Sequence, residues 1–171
     1  SPRLSASYQL TEKLSINFNT GRYYQLPPFT ALGYTAHSAL VNKANKITYI
    51  KANHVVTGVE YNPDAASRIT VEAYYKTYAN YPFLLREKIS LANLGGDFGV
   101  IGNEPVTSDS KGRTFGVEVL LQRRLTKGFY GLLAYTFGKS EFTNAQNSYA
   151  PSSWDSRHII SLTGGKRFGK N

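Results

Sequence analysis

The sequence predicts an all-β chain, an antiparallel up-and-down meander of about seven strands, and three observations carry that prediction. Seven stretches alternate apolar and polar residues with the period of two that places successive side chains on opposite faces of a strand. The joints between them alternate tight polar turn and long loop, so all the short connections fall on one side of the sheet and all the long ones on the other. Most of the stretches also run near the 9 to 11 residues that a tilted strand needs to cross a hydrocarbon layer. In chain order, the first stretch is residues 3–10, shorter than the rest, followed by a tight joint at 11–13. Residues 14–24 set Leu14, Ile16 and Phe18 against Ser15, Asn17 and Asn19, and lead into a long loop at 25–48. Residues 51–61 carry Val55, Thr57, Val59 and Tyr61 on one face and His54, Gly58 and Glu60 on the other, and close on a tight turn at 62–66. Residues 67–78 oppose Ile69, Val71, Ala73 and Tyr75 to Thr70, Glu72, Tyr74 and Lys76, before a long loop at 79–112. Residues 113–122 show Phe115, Val117, Val119 and Leu121 against Gly116, Glu118 and Gln122. After a tight joint at 123–127, residues 128–137 present Phe129, Leu133, Tyr135 and Phe137. A loop at 138–156 precedes the last stretch, 157–166, with Ile160 and Leu162 opposite Arg157, Ser161 and Thr163.

One apolar and one polar face suit either a soluble sandwich or a membrane barrel, whose apolar face meets lipid and whose polar face lines a wet lumen. A mean hydropathy of -0.35 and 41% hydrophobic residues leave the choice open. Short turns on one side and long loops on the other are the asymmetry of outer-membrane barrels. The 13 Tyr and 9 Phe gather near strand ends (Tyr23, Tyr24, Tyr49, Tyr61, Tyr74, Tyr75, Tyr78, Phe129, Tyr130), where amphipathic rings sit at a membrane interface. No apolar run is long enough for a spanning helix, and no charged-then-apolar leader stands at Ser1. Strand propensity alone also enriches Tyr.

The net charge of +9 invites a nucleic-acid reading. Lys13, Arg68, Arg123, Arg124, Lys127, Lys166, Arg167 and Lys170 are scattered over turns and loops and form no stripe, so no nucleic-acid partner is expected. A basic rim suits anionic lipid headgroups. With 0 Cys there is no disulfide framework, thiol nucleophile or thiolate metal site. His37, His54 and His158 lack metal-ligand spacing, and Glu60, Glu72 and Glu118 are explained by a polar lumen. Residues 164–171 match a phosphate-binding loop until the last place, where Asn171 stands for Ser or Thr, and they read as a strand ending in a basic turn. No Gly-x-Ser-x-Gly elbow is present. No catalytic residue, metal or cofactor is expected, and the chain reads as not an enzyme.

Particular segments resemble a family. Gly21-Arg22-Tyr23-Tyr24-Gln25-Leu26-Pro27-Pro28-Phe29, the hairpin over 56–82, the hairpin over 116–137 and Ser153-Trp154-Asp155-Ser156-Arg157-His158 are similar to the barrel of TonB-dependent outer-membrane receptors, the last segment looking like the entry to a strand near the barrel's end. The resemblance runs through most of the chain. It implies that residues 1–171 are one partial β-barrel domain, about seven strands of a 22-stranded, plugged barrel, with the plug absent and the piece belonging to a larger protein in the bacterial outer membrane. It implies active import of a scarce nutrient such as a siderophore-iron complex, cobalamin or glycan, with outer-membrane lipid, the nutrient ligand and, through the missing plug, the TonB energy-coupling system as partners. Two unpaired sheet edges also raise the expectation of edge-strand self-association of the isolated piece.

Function collects on loops held by a rigid scaffold. The loops over 26–47 and 79–111 are therefore expected to carry substrate contacts, the aromatic candidates being Tyr34, Tyr81, Phe83 and Trp154, with Arg86 and Lys88 suited to an anionic chelate; packing or interfacial roles compete for each. Two other functions fit parts of the pattern. A self-contained eight-stranded outer-membrane barrel would be structural or adhesive. A soluble lipocalin-like binder would invert the faces, with an apolar interior.

Overall fold

The computed structural model describes residues 1–94 and 102–169. Its elements are β1 (Arg3–Thr11), β2 (Leu14–Gln25), α1 (Phe29–Leu32), β3 (Thr35–Ala36), β4 (Ala39–Leu40), α2 (Val41–Ala44), β5 (Ile50–Tyr61), β6 (Ser67–Leu84), β7 (Ile89–Ser90), a 3-10 turn at Leu91–Asn93, β8 (Val106–Thr126), β9 (Phe129–Thr143), β10 (Tyr149–Pro151) and β11 (Arg157–Lys166). The long strands pair in chain order, β1-β2-β5-β6-β8-β9-β11, each antiparallel to its neighbours. β7 adds to the tip of β6 and β10 to the tip of β9. The all-β meander expected from periodicity is present.

Local chemistry sets the three tight turns. Thr11 Oγ1 accepts from the Lys13 and Leu14 amides at 3.2 and 3.1 Å. In the turn between β5 and β6, Asp64 Oδ1 accepts from the Ala66 amide at 2.8 Å, and Asp64 Oδ2 meets Arg123 of the neighbouring turn at 2.9 Å. The β8–β9 hairpin closes on Lys127 and Gly128, whose φ values of 51° and 83° are the left-handed pair that matches the twist of the flanking strands. That turn is shorter than the expected 123–127, because β8 continues to Thr126 past a register shift after Arg123.

The opposite end corrects the loop expectation. β6 runs six residues beyond 78, and β8 starts at Val106 instead of 113. The two ends of the stretch expected as a loop at 79–112 are therefore a strand-paired arm, residues 79–84 and 106–112, with residues 95–101 outside the described residues. The period breaks at Asn80, with φ 58°, and at Pro82, which has no amide to give a ladder. The strand crosses this irregularity as a bulge, between the Tyr78↔Gly112 and Tyr81↔Ser110 pairs. Likewise β9 extends to Thr143, and β10 folds back on it. At 18 and 21 residues, β6 and β8 are longer than the 9 to 11 residues that a tilted strand needs to cross a hydrocarbon layer.

At the root of the arm, Ala31, Leu84, Leu91 and Val106 form a small buried core, with Ile47, Tyr81, Ile89 and Leu94 packed on it. Asn42, fully buried, fastens the first long loop to the arm: its Nδ2 donates to Ala31 O at 2.7 Å and Glu104 O at 2.8 Å, and its Oδ1 accepts from the Val106 amide at 2.8 Å. Asn93 Nδ2 ties the 3-10 turn to β10 through Ala150 O and Pro151 O. Asp155 Oδ1 accepts from the Ser140 amide at 2.9 Å. The loop side is a packed cap, not a set of loose connections.

The apolar face has no cover. Phe18, Val71 and Val117 are 39%, 41% and 38% exposed, where a soluble sandwich would bury them. Hollows lined by Ser7, Asn17, Asn19, Gly58 and Glu72, and by Thr70, Glu72, Glu118 and Thr136, open on the polar face. A lipocalin would cover its apolar face and expose its polar one; here the apolar face is the open one.

Candidate functional site

Register carries the polar face of every strand into one wall. Gly21↔His54↔Lys76↔Thr114↔Ser140 and Tyr23↔Ala52↔Tyr78↔Gly112↔Phe142 are successive rows across β2, β5, β6, β8 and β9. At the loop end these rows bring rings together. Arg3 lies over the Tyr23 ring at 4.5 Å, Tyr23 and His54 are 4.6 Å apart between centroids, and His54 meets Tyr78 edge-on at 6.4 Å. Tyr78 lies 5.3 Å from Phe142, and Phe142 lies 4.7 Å from Tyr81. The ladder crosses five strands.

A missing side chain makes it possible. Gly112 stands between Tyr78 and Phe142 in its row, and a Cβ there would fall 2.3 Å from the Phe142 ring. The rings of β6 and β9 therefore meet over bare β8 backbone. Lower on the same wall, the Tyr74 hydroxyl sits where Cβ atoms of Gly116 or Gly138 would stand, at 2.6 and 2.8 Å. Lys76 Nζ lies 4.9 Å over the Tyr74 ring.

The ladder borders an open-sided cavity of ≈ 510 Å³, lined by Tyr23, His54, Tyr78, Tyr81, Phe142 and Trp154 among others. Its walls are mostly ring faces, with Thr114 and Ser140 hydroxyls and one imidazole as polar points, the composition of a small-molecule pocket. Such walls stack on planar or ring-bearing ligands. Among the described residues, no group of three or more His, Cys, Asp or Glu converges to hold a metal ion.

Of the residues singled out from sequence, Tyr81 and Trp154 line the cavity. Tyr34 and Arg86 meet each other instead, Arg86 donating to the Tyr34 hydroxyl at 3.5 Å at the exposed cap. Phe83 pairs within the arm, opposite Ser90 and Thr107, and Lys88 occupies a left-handed turn position, φ 57°. Neither lines the cavity. Sequence reasoning missed Tyr23, His54, Tyr78 and Phe142 as a group. Tyr23 and Tyr78, read as membrane-interface rings, stand on the luminal parity of their strands, as does Tyr74. Counting residues back from the tight turns would have revealed it.

The outward rows differ. Ile16↔Val59↔Val71↔Val119↔Tyr135↔Ile160 is apolar across six strands, a band fit for acyl chains. An uncovered apolar outer band, a polar opposite face and loops on one side define a segment of an outer-membrane β-barrel wall.

A family profile described as TonB dependent receptor-like, beta-barrel, matches residues 1–168, and the chain belongs to that family. The fold is shared with the ferric-catecholate import receptor Fiu of E. coli K12 (18% identity, TM-score 0.66, 95% of this chain and 21% of that one). It is shared also with FpvAI in complex with pyocin S2 (14%, 0.67, 99% and 21%) and the FrpB iron transporter of Neisseria meningitidis (14%, 0.64, 98% and 24%). The chain spans about a fifth of the length of these structures. No curated protein matches the sequence.

Proposed function

We propose that this chain forms part of the wall and outer loops of an active importer in the bacterial outer membrane, and that its aromatic ladder contacts a scarce, bulky nutrient such as a siderophore-iron complex, cobalamin or glycan on the way through the lumen. A plug domain and the TonB energy-coupling system complete this reading, in which the protein catalyses no reaction. The observation that supports it most is the convergence of Tyr23, His54, Tyr78, Phe142 and Trp154 on one luminal cavity at the loop end, where an incoming ligand arrives first. Ring stacking tolerates many planar ligands, as it does for bases on single-strand binders at about 1–3 kcal/mol per ring. The iron-import neighbours make a ferric tris-catecholate the first probe.

The test uses the full-length receptor that carries this segment. Its affinity for a ferric tris-catecholate, cobalamin and an oligosaccharide is measured by fluorescence quenching, with Tyr78→Ala and His54→Ala alongside. Loss of one stacked ring weakens binding of the accepted ligand by about ten-fold or more. Unchanged affinity in both variants refutes the ladder as the contact surface.

A further inference from the structure

An imidazole stands in the middle of the aromatic ladder, and stacking alone gives it no task that another phenyl ring would not perform. His54 touches only rings, Tyr23 at 4.6 Å and Tyr78 at 6.4 Å between centroids, and among the described residues no hydrogen bond engages its nitrogens. His158, on the outward face, differs: its Nδ1 is bonded to the Tyr135 hydroxyl at 2.9 Å. The β5 backbone is fixed at this place, since His54 pairs with Gly21 on one side and Lys76 on the other, and its carbonyl accepts from Thr20 Oγ1 at 3.0 Å. An uncommitted imidazole on a rigid strand, lining the cavity with Tyr78, Phe142 and Trp154, is a preorganised nitrogen donor. Neutral imidazole is a ligand suited to iron.

The charges around it have one sign. In the luminal row Arg3↔Gly21↔His54↔Lys76↔Thr114↔Ser140, two cations flank the imidazole. Neither forms an ion pair among the described residues. Arg3 lies instead over the Tyr23 ring at 4.5 Å, and Lys76 Nζ over the Tyr74 ring at 4.9 Å. Among the described residues the cavity lining holds no carboxylate, and the first ones on the luminal face of these strands, Glu72 and Glu118, stand two rows deeper. A ring face holds a cation more weakly than a carboxylate does, so both cations are available to an anionic ligand edge.

Flat aromatic walls, one free imidazole and two unpaired cations match the three parts of an iron porphyrin: a planar macrocycle, a metal with an open axial position, and carboxylates on the edge. We propose that the cavity takes a carboxylate-bearing iron porphyrin as its ligand, with His54 as the axial donor to the metal, the rings against the macrocycle, and Arg3 and Lys76 toward its carboxylates. The imidazole nitrogen gives its lone pair to the ferric iron and displaces a bound water; no electron is transferred. One donor suffices, because the macrocycle itself supplies the equatorial nitrogens and no cluster of ligating side chains is required. The inference rests on the reading of the ladder as a ligand contact surface, and adds to it a metal bond that stacking does not provide.

The experiment titrates the full-length receptor in neutral detergent with hemin, metal-free protoporphyrin and a ferric tris-catecholate. Affinity is read by fluorescence quenching, and iron ligation by the visible and electron paramagnetic resonance spectra of hemin. Hemin is expected to bind at least about ten-fold more tightly than metal-free protoporphyrin, with an imidazole-ligated spectrum. His54→Phe keeps a ring and removes the donor, so hemin falls to the affinity of protoporphyrin and loses that spectrum, while protoporphyrin binding is unchanged. Added imidazole restores the ligated spectrum in His54→Ala, and this variant decides the matter if His54→Phe does not form a heat-modifiable barrel. Arg3→Gln and Lys76→Gln each weaken both porphyrins about two- to five-fold and leave the spectrum as it is. Equal affinity for hemin and protoporphyrin, or an imidazole-ligated spectrum that persists in His54→Phe, overturns the proposal. A tris-catecholate leaves its iron no open position and probes stacking alone. If Tyr78→Ala weakens its binding while hemin is not ligated, the ladder reading stands and this inference alone falls; if no probe binds, both fall.

Discussion

Asn42 offers the sharpest test of how the cap holds together. Truncation in Asn42→Ala strands two backbone groups at once: the half-buried Glu104 O loses its donor and the buried Val106 amide loses its acceptor, while Ala31 O keeps the Tyr34 amide at 3.5 Å. The Asn45 Nδ2 contact at 3.4 Å is made to Asn42 Oδ1 itself and is lost with it. At the lower bound of about 1 kcal/mol for each unsatisfied group, the loss is about 2 kcal/mol. It falls on the local opening of the cap and not on the barrel, because the long strands keep their ladders. Opening then becomes roughly 30-fold more frequent, so hydrogen exchange monitored by mass spectrometry on the full-length receptor accelerates by that order in peptides covering 26–47 and 102–110, while those covering β2 and β5 stay protected. Asn42→Asp is a stricter variant: it keeps an acceptor for Val106 but aims a charged oxygen at the Ala31 and Glu104 carbonyls, so protection falls further as the new carboxyl ionises. Exchange within two-fold of the unmodified protein in both variants would refute the assignment of Asn42 as the fastener.

Two further consequences concern the same cap and the wall beneath it. Burial, then the hydrogen bond and charge of Glu87, push the Glu104 carboxyl up to about 7, with Arg86 pulling it down; Glu104 Oε2 is buried without a partner. A folded-state value above the ordinary carboxylate range means that this group's contribution is complete below that range and is lost as pH rises through about 7. The Leu85 amide, bonded to Pro105 O at 3.1 Å, should therefore exchange faster at pH 8 than at pH 5.5 after correction for intrinsic rates, and Glu104→Gln should abolish the difference; a difference that persists in that variant counts against the Glu87–Glu104 pair. Gly112→Ala forces the Phe142 ring off β8, an overpacking cost of about 1–3 kcal/mol, and is expected to lower the temperature of barrel heat-modification and weaken ligand binding together, whereas unchanged binding would show that the ring is not part of the contact surface.

The long strands were legible because their message is redundant: Ile16, Phe18, Val55, Val59, Val71 and Val117 repeat one parity over many residues, and polar turns mark the reversals. The arm was not legible, because Asn80 and Pro82 interrupt the period where the structure uses a bulge to carry the strand onward. The cap core was invisible for another reason. Ala31, Leu84, Leu91 and Val106 come from segments too short to show any period, and Asn42 looks like an ordinary loop polar residue until its three backbone partners, up to 64 residues distant, are in place. In the candidate site, Tyr81 and Trp154 were found as loop aromatics. Tyr23 and Tyr78 were visible but read as belonging to the membrane interface, and Phe142 lay in a stretch read as loop.

Alternation along a strand settles only inside against outside; depth is set by register. The row of Ile16, Val59, Val71, Val119, Tyr135 and Ile160 and the row of Arg22, Asn53, Thr77, Arg113 and Glu141 occupy the same face, and what separates an apolar row from a polar one is which residue of each strand stands opposite which. A slip of β9 by one residue against β8 would turn Phe142 outward and Glu141 into the lumen. A slip by two keeps the faces but sets Arg113 opposite Lys139 or Thr143, replacing a two-nitrogen ion pair with like charges or an uncharged hydroxyl. It also moves Phe142 off Gly112 and onto a position already bearing a side chain. The Arg113–Glu141 pair on the outside and the Gly112–Phe142 fit on the inside are neighbours in sequence and fix the same register from both faces. The outward ion pair therefore helps build the aromatic wall it backs, and a change at either should disturb the other through the alignment of β8 and β9.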